Sequence, residues 1–455
     1  MKLFNLRTPQ ATILSLVAAL CFAMSGCVAN NGGANGAQTS QTNTPVQQPP
    51  VANSNAAPAP DPNLANVPLT LPMVDALLGD EETVSELKSR AQLSDEQVQK
   101  LRDAGRDALL QLSETDEGPR STTASSRDAL AKIREIVGAE KAETVANFFR
   151  ERWAGGGATT LAGSTPNSVP TDTRIVVNAP AYRMDIFRDG KLTKSYKVGI
   201  GYPEFPLPAG LRKATEIIFN PTWTPPDEPW VKGKFAPGKK VEAGSADNPL
   251  GPIKIPIGLP SLIHGGKQPA RLGNFASHGC VGLTNAQVQD FAVELSSLAG
   301  KEITLDEVKG YQKNKTETKN VKLDNPVPVE LRYETIVVTD DGKLAIYRDV
   351  YERGTNTEEN LRRVLDAVGV SFDTLPAADQ EKIRQGLSQM AIDATGNPVD
   401  PSANANANSN SNSANSNKTT SSKVTKNVKG AREVVFDLAA LRGKGYPVPV
   451  NLKAA

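Results

Sequence analysis

The sequence predicts a mostly β domain over residues 171–308, preceded by an α-helical module and followed by a small α+β extension. Three observations carry that reading. Between 171 and 308, short apolar runs alternate with Gly- and Pro-rich turns, as in many-stranded sheets with long loops. Upstream, apolar residues recur at helical spacing. Downstream, two strand-like runs flank Asp341-Gly342 and a helical pattern comes after them. A chain of 455 residues has room for roughly two or three domains, and its uneven composition argues against one continuous core.

Lys2 and Arg7 precede an apolar stretch over 11–24. It is too short to span a bilayer comfortably and suits the core of a secretory signal. It ends in Met24-Ser25-Gly26-Cys27, which resembles the lipobox of bacterial lipoproteins. That resemblance implies a leader over 1–26 and a lipid on Cys27. Ordinary signal cleavage with an incidental Cys27 is the alternative. Residues 27–68 are rich in Asn, Gly, Ala, Gln, Thr and Pro and poor in large apolar side chains. Burial there cannot offset the entropy of ordering, so the segment reads as a flexible tether.

Residues 69–154 read as the helical module. Ser94-Asp95-Glu96-Gln97 is a capping-box start, and Val98, Leu101, Ala108, Leu109 and Leu112 repeat at helical spacing. A second helical stretch covers 126–153 through Leu130, Ile133, Val137, Val145, Phe148 and Phe149. Nothing in the module points to catalysis. It suits spacing or contact with a protein partner that the sequence does not identify. Residues 155–170 read as a linker.

Within 171–308, residues 174–178 and 182–187 are strand-like, and Asp189-Gly190 turns the second into 192–200 as a hairpin. Residues 285–299 read as a helix. The lysine-rich stretch 309–325 is expected to be a linker. The extension over 326–395 should hold strands near 333–339 and 343–349 and a helix near 358–368. Residues 396–425, with their Asn/Ser tract, read as disordered. Residues 426–455 mix basic and apolar side chains and receive no assignment.

Lys+Arg is 51 and Asp+Glu is 50, and aromatic residues are 5% of the chain. Neither the charge nor the stacking surface for nucleic acid is present. Loss of the leader would carry away Lys2 and Arg7 and move the formal net charge from +1 to −1. It would also remove Cys21. With Cys27 acylated, Cys280 becomes the only free thiol, so no internal disulfide is expected.

Both histidines of the chain lie close to that thiol, in Ile263-His264-Gly265 and Ser277-His278-Gly279-Cys280. A thiol attacks as thiolate, and an imidazole can take its proton and return it to a leaving amine. A glycine beside the nucleophile lets backbone N–H groups face an oxyanion. These residue types together suit acyl transfer. A zinc site of two imidazoles and one thiolate, or a buried inert cysteine with structural histidines, are the competing readings.

The ordered set of segments resembles the L,D-transpeptidase catalytic-domain family. Ile263-His264-Gly265 and Ser277-His278-Gly279-Cys280-Val281 carry the resemblance. Val198-Gly199-Ile200-Gly201, the Phe219-Asn220-Pro221-Thr222-Trp223-Thr224-Pro225-Pro226 stretch and Asn248-Pro249-Leu250-Gly251 support it in order. It covers about 172–308 well and 326–353 loosely.

The resemblance implies a β sandwich or barrel with the cysteine at a cleft. It implies Cys280 as nucleophile, His264 as proton acceptor and donor, and the Gly265 carbonyl orienting the His264 ring. His278, Gly279 and Cys280 would supply the backbone oxyanion site, with the His278 side chain structural and Ser277 supporting the turn. The implied reaction is attack on a peptidoglycan tetrapeptide stem, release of the terminal D-alanine and transfer of the thioester to an amine, giving a 3→3 cross-link. Attachment of a protein, or D-amino-acid exchange, would use the same acyl-enzyme. A silent peptidoglycan-binding lipoprotein is the alternative from another class. No cofactor or metal is expected. The partners would be stem peptides and, through the lipid, a membrane. The place would be the periplasmic face of the envelope, at the outer membrane where there are two, since Val28 is not an acidic retention signal. One departure stands out: Gly282 occupies a position where the family usually carries Arg or Asn.

Overall fold

The computed structural model describes residues 67–110, 112–113, 122–154, 165–224, 240–258, 260–393 and 427–452, with isolated positions between 396 and 423. The leader, Cys27, nearly all of the expected tether and the Asn/Ser tract lie outside these residues. Among the described residues no helix is long and apolar enough to cross a membrane.

Strands β1 (Arg174–Asn178), β2 (Arg183–Arg188) and β3 (Lys191–Lys197) form an antiparallel meander. Asp189 and Gly190 make its tight turn, both at positive φ (49° and 77°), which matches the twist of the flanking strands. After β4 (Ile200–Gly201), strands β5 (Gly210–Phe219), β6 (Ile253–Pro256) and β7 (Leu262–His264) form a second meander. β8 (Phe275–Ser277) pairs in parallel with β4, and β9 (Val281–Gly282) pairs in parallel with β7. Helices α6 (Asn285–Leu298) and α7 (Leu305–Lys313) come next in the chain, numbered after the five helices of the N-terminal module.

One long strand, β10 (Lys319–Arg332), joins the two meanders, antiparallel to β5 and parallel to β1. The sheet order is β9-β7-β6-β5-β10-β1-β2-β3. Its opposite edges then meet. Gly199, two residues past β3, exchanges two backbone hydrogen bonds with Gly282 of β9, at 2.9 and 2.8 Å. The sheet is thereby curled around a core that includes Ile175, Val177, Ile217, Ile255, Ile263 and Val281. This is the mostly β fold that the sequence predicts.

The expected linker over 309–325 is different in the structure. It is the end of α7 and the first half of β10. Val321 and Leu323 are buried while Asn320, Lys322 and Asp324 alternate with them and stay exposed, so Lys322 marks the solvent face of a strand.

The N-terminal module is α1 (Leu71–Leu78), α2 (Glu81–Ala91), α3 (Asp95–Leu110), α4 (Thr122–Val137) and α5 (Ala139–Trp153) around Leu69, Leu87, Leu101, Ile133, Phe148 and Phe149. Ser94 Oγ accepts from Gln97 N–H at 3.2 Å and the Gln97 side chain accepts from Ser94 N–H at 3.1 Å, a reciprocal cap for α3. The stretch read as one helix over 126–153 is two, separated at Gly138.

The C-terminal unit packs α8 (Glu358–Ala367) and α9 (Ala377–Met390) on a sheet ordered β11 (Ile336–Thr339), β12 (Asp341–Tyr347), β13 (Glu433–Arg442). The unassigned tail therefore supplies the third strand of this sheet.

Polar contacts join the three parts. Thr70 Oγ1 donates to the Glu204 carbonyl at 2.8 Å, and Arg212 Nη2 donates to the Trp153 carbonyl at 3.1 Å. The Glu352 carboxylate, 3% exposed, accepts the N–H groups of Thr122 and Thr123 at 2.7 and 2.8 Å. Amides in the first turn of a helix have no partner within it and carry partial positive charge, so an acid from a distant part of the chain caps α4. Glu352→Gln should lower stability by about 1–2 kcal/mol in urea unfolding, because one charged acceptor becomes a neutral one. An unchanged midpoint would mean that this joint does not hold the module.

Candidate active site

β7 ends at His264, and β9 begins one residue after Cys280. The two strands run side by side, with Ile263 opposite Val281 and His264 opposite Gly282. That register brings the imidazole and thiol to adjacent strand ends. Backbone bonds extend it, with Leu283 N–H to the His264 carbonyl at 2.8 Å and Lys267 N–H to the Leu283 carbonyl at 3.1 Å.

The turn before Cys280 is held from two sides. Ser277 Oγ donates to the Cys280 carbonyl at 2.6 Å and accepts the Cys280 N–H at 3.0 Å. Ser261, buried at the head of β7, donates its hydroxyl to the Gly279 carbonyl at 2.9 Å. Gly279 has φ of 84°, a conformation that a side chain would strain. The His278 ring packs edge-on against Tyr202 and Phe205, with centroids 5.1 and 4.5 Å away. Because the Cys280 N–H is engaged by Ser277, it drops out of the oxyanion donors expected of this turn. The expectation narrows to the backbones of His278 and Gly279.

His264 is 3% exposed, and its Nδ1 lies 2.8 Å from the Gly265 carbonyl. A carbonyl only accepts, so Nδ1 carries the proton and Nε2 presents its lone pair. Burial pulls the His264 pKa down to about 3; the Lys267 charge adds to that, and the Gly265 and Leu250 carbonyls oppose it. Cys280 keeps some accessible surface, yet the chain is dense around its sulfur. Burial raises its pKa, while the Leu262 N–H and the Lys267 charge pull it back. Both shifts favour the neutral thiol and the neutral imidazole over a thiolate–imidazolium pair.

Lys267 is the group that motif reading missed. A Cβ built on Gly282 would lie 2.8, 3.0 and 3.3 Å from its Cγ, Cε and Cδ. The lysine stem fills the volume that a side chain at 282 would take. The signal available in the sequence was Gly282 itself, small where the family usually carries Arg or Asn. Trp153 of the helical module was also missed as a neighbour: its Cη2 lies 4.0 Å from where a Gly279 Cβ would be. Among the described residues no His, Cys, Asp and Glu side chains gather as a metal-ligand set.

A neutral resting pair has a measurable signature. In protein lacking residues 1–27, Cys280 is the only thiol. Its alkylation by iodoacetamide should climb through the alkaline range without a plateau near neutrality. Lys267→Met should move the profile to higher pH, since a cation that favours thiolate is lost. Lys267→Arg should keep the parent profile. A neutral-pH plateau in the parent protein would contradict the assignment.

The L,D-transpeptidase catalytic domain family matches residues 172–308. A Bacillus subtilis (strain 168) protein, YqjB, whose name places it among the L,D-transpeptidases, is 27% identical over 128 residues, covering 27% of this chain and 65% of its own length. The catalytic domain of the Enterococcus faecium L,D-transpeptidase is 16% identical, with a TM-score of 0.22 over 36% of this chain and 100% of that one. L,D-transpeptidase 3 from Mycobacterium tuberculosis is 14% identical, with a TM-score of 0.21 over 35% of this chain and 60% of that one. Each likeness is confined to about a third of the chain. The family match covers residues 172–308 only, and the chain spans 65% of the length of YqjB.

Proposed function

We propose that the protein is an exported, lipid-anchored peptidoglycan L,D-transpeptidase with Cys280 as nucleophile. The observation that carries the reading is His264, held with its proton on Nδ1 by Gly265 at the end of the strand beside Cys280. Its Nε2 is the base. As Sγ attacks the amide between the third and fourth residues of a tetrapeptide stem, the thiol proton passes to Nε2. The backbones of His278 and Gly279 face the oxyanion. Collapse breaks the C–N bond, and His264 returns the proton to the departing D-alanine amine. The stem remains as a thioester on Cys280. An amine of a neighbouring stem then attacks, loses its proton to His264 and displaces the thiol, giving a 3→3 cross-link. Ser277 and Ser261 fix the turn through these steps without touching substrate.

The neutral resting pair suits this cycle. The imidazole is charged only while it carries the transferred proton. The leader-like segment over 1–26 and Cys27 support export and anchoring at the periplasmic face, at the outer membrane in cells that have two.

Mass spectrometry of muropeptides made by the purified protein from tetrapeptide-rich sacculi tests the reading. The parent protein should yield 3→3 dimers and free D-alanine. Cys280→Ala should yield neither while remaining folded. His264→Gln should lose about 10²–10⁴ in rate, whereas His278→Gln should lose far less. Full turnover by Cys280→Ala would sink the mechanism, and normal turnover by His264→Gln would reassign the base. In cells, Cys27→Ser should move the protein from membrane to soluble periplasmic fraction, and retention at the membrane would refute the anchor.

A further inference from the structure

Away from Cys280, a cleft of about 130 Å³ opens between Val67, residues 166–168, residues 330–336 at the end of β10 and just past it, and the 353–364 stretch entering α8. Arg353 lines it and is 5% exposed. Its guanidinium lies over the Tyr333 ring, 4.2 Å from the centroid. That guanidinium makes no hydrogen bond to a described residue, and its Nε is buried without an acceptor.

The acids nearby are committed elsewhere. Asp349 accepts from Tyr333 Oη at 2.5 Å, from the Arg353 backbone N–H at 2.9 Å, and from Thr355 N–H and Oγ1 at 2.9 and 3.3 Å. Glu330 is taken by Arg174 at 2.8 Å and by Arg332 at 2.8 and 3.1 Å. Arg332 itself is further engaged by Ser168. Glu334 accepts the Asn167 N–H at 2.9 Å, stands 3.7 Å from Arg332 Nη1 and retains acceptor capacity. Arg353 is therefore a buried cation that no carboxylate hydrogen-bonds, beside open space; the Asp349 charge acts on it, but that carboxylate is spent on other donors. Such a charge is unfavourable unless a counter-charge arrives. Burial lowers the Arg353 pKa against the opposing charge of Asp349, and raises that of Glu334 against the opposing charge of Arg332 and the Asn167 N–H.

We propose that this cleft binds a small free α-amino acid, with Arg353 receiving its carboxylate and Glu334 its ammonium. Two features select that class. Arg353 offers a guanidinium without a hydrogen bond and Glu334 offers spare acceptor capacity, so both signs of charge line the wall, which suits a zwitterion. The other lining charges are engaged: Glu330 with Arg174 and Arg332, and Arg363 with Asn360. The site shares no residue with the Cys280 centre, so it stands or falls independently of the transpeptidase reading.

The test is thermal unfolding of the intact protein at constant ionic strength with glycine, D-alanine, L-alanine, acetate, methylammonium or inorganic phosphate. At least one amino acid should raise the midpoint by mass action, and acetate, methylammonium and phosphate should each do less. Arg353→Met should abolish the shift. Without ligand that variant should melt no lower than the parent, because it removes an uncompensated buried charge. Glu334→Gln should weaken amino-acid binding by roughly tenfold or more while leaving acetate unchanged. The proposal is overturned if no amino acid shifts the midpoint, if the shift survives Arg353→Met, or if phosphate or acetate works best. A lower midpoint for unliganded Arg353→Met would also overturn it, since the guanidinium would then be a structural strut.

Discussion

Two reciprocal hydrogen bonds between Gly199 and Gly282 hold the opposite edges of the main sheet together, and the Cys280 turn depends on them. β9 is only two residues long and would fray as an edge strand. It is fixed on one side by β7 and on the other by Gly199. At the far end of the turn, β8 pairs with β4, which begins directly after Gly199. The turn carrying Cys280 thus lies across the seam where the sheet closes. Tyr351, which follows β12 in the chain, is buried in the core of the main sheet and braces that seam. Its hydroxyl donates to the Gly201 carbonyl at 2.9 Å and accepts the Leu207 N–H at 3.0 Å.

Closure also sets the electrostatics. Removing the thiol and imidazole from water disfavours both charged forms, so burial pushes the two pKa values apart in the direction that keeps each group neutral. Lys267 acts on both in one sense. It favours the thiolate and disfavours the imidazolium. Its stem reaches the site because Gly282 leaves room for it. The charge comes from the loop after β7, where motif comparison would look for it on β9.

What was legible in the sequence was what is local. Asp189-Gly190 fixes a hairpin by its own backbone preference. Ser94 and Gln97 cap a helix within one turn. Ser277, His278, Gly279 and Cys280 are contiguous, and their residue types state their chemistry. What was not legible is set by partners distant along the chain. The first half of β10 looked like a linker because its apolar residues are few and its lysines prominent, and only β5 makes it a strand. β13 alternates in burial over its first six residues, but its partner β12 lies far upstream, so nothing local names the sheet it joins. Ser261 and Lys267 meet the site across strands, and no spacing rule points to either. The engagement of the Cys280 N–H by Ser277 is likewise a matter of hydroxyl placement that residue identity does not convey.

The place of β10 in the sheet has a consequence for how the chain matures. The family match ends at residue 308, but the two meanders are bridged by a strand that runs to Arg332. A nascent chain therefore displays the complete cysteine motif before it owns the strand that unites the sheet. Pairings as distant as Ile175 with Val329 are slow to find, because loop closure must precede any gain from contact. Until that pairing forms, the sheet lacks the strand that joins its two meanders, and the core around the Cys280 turn is incomplete. The guarded state of Cys280 is acquired late, as a property of the finished topology.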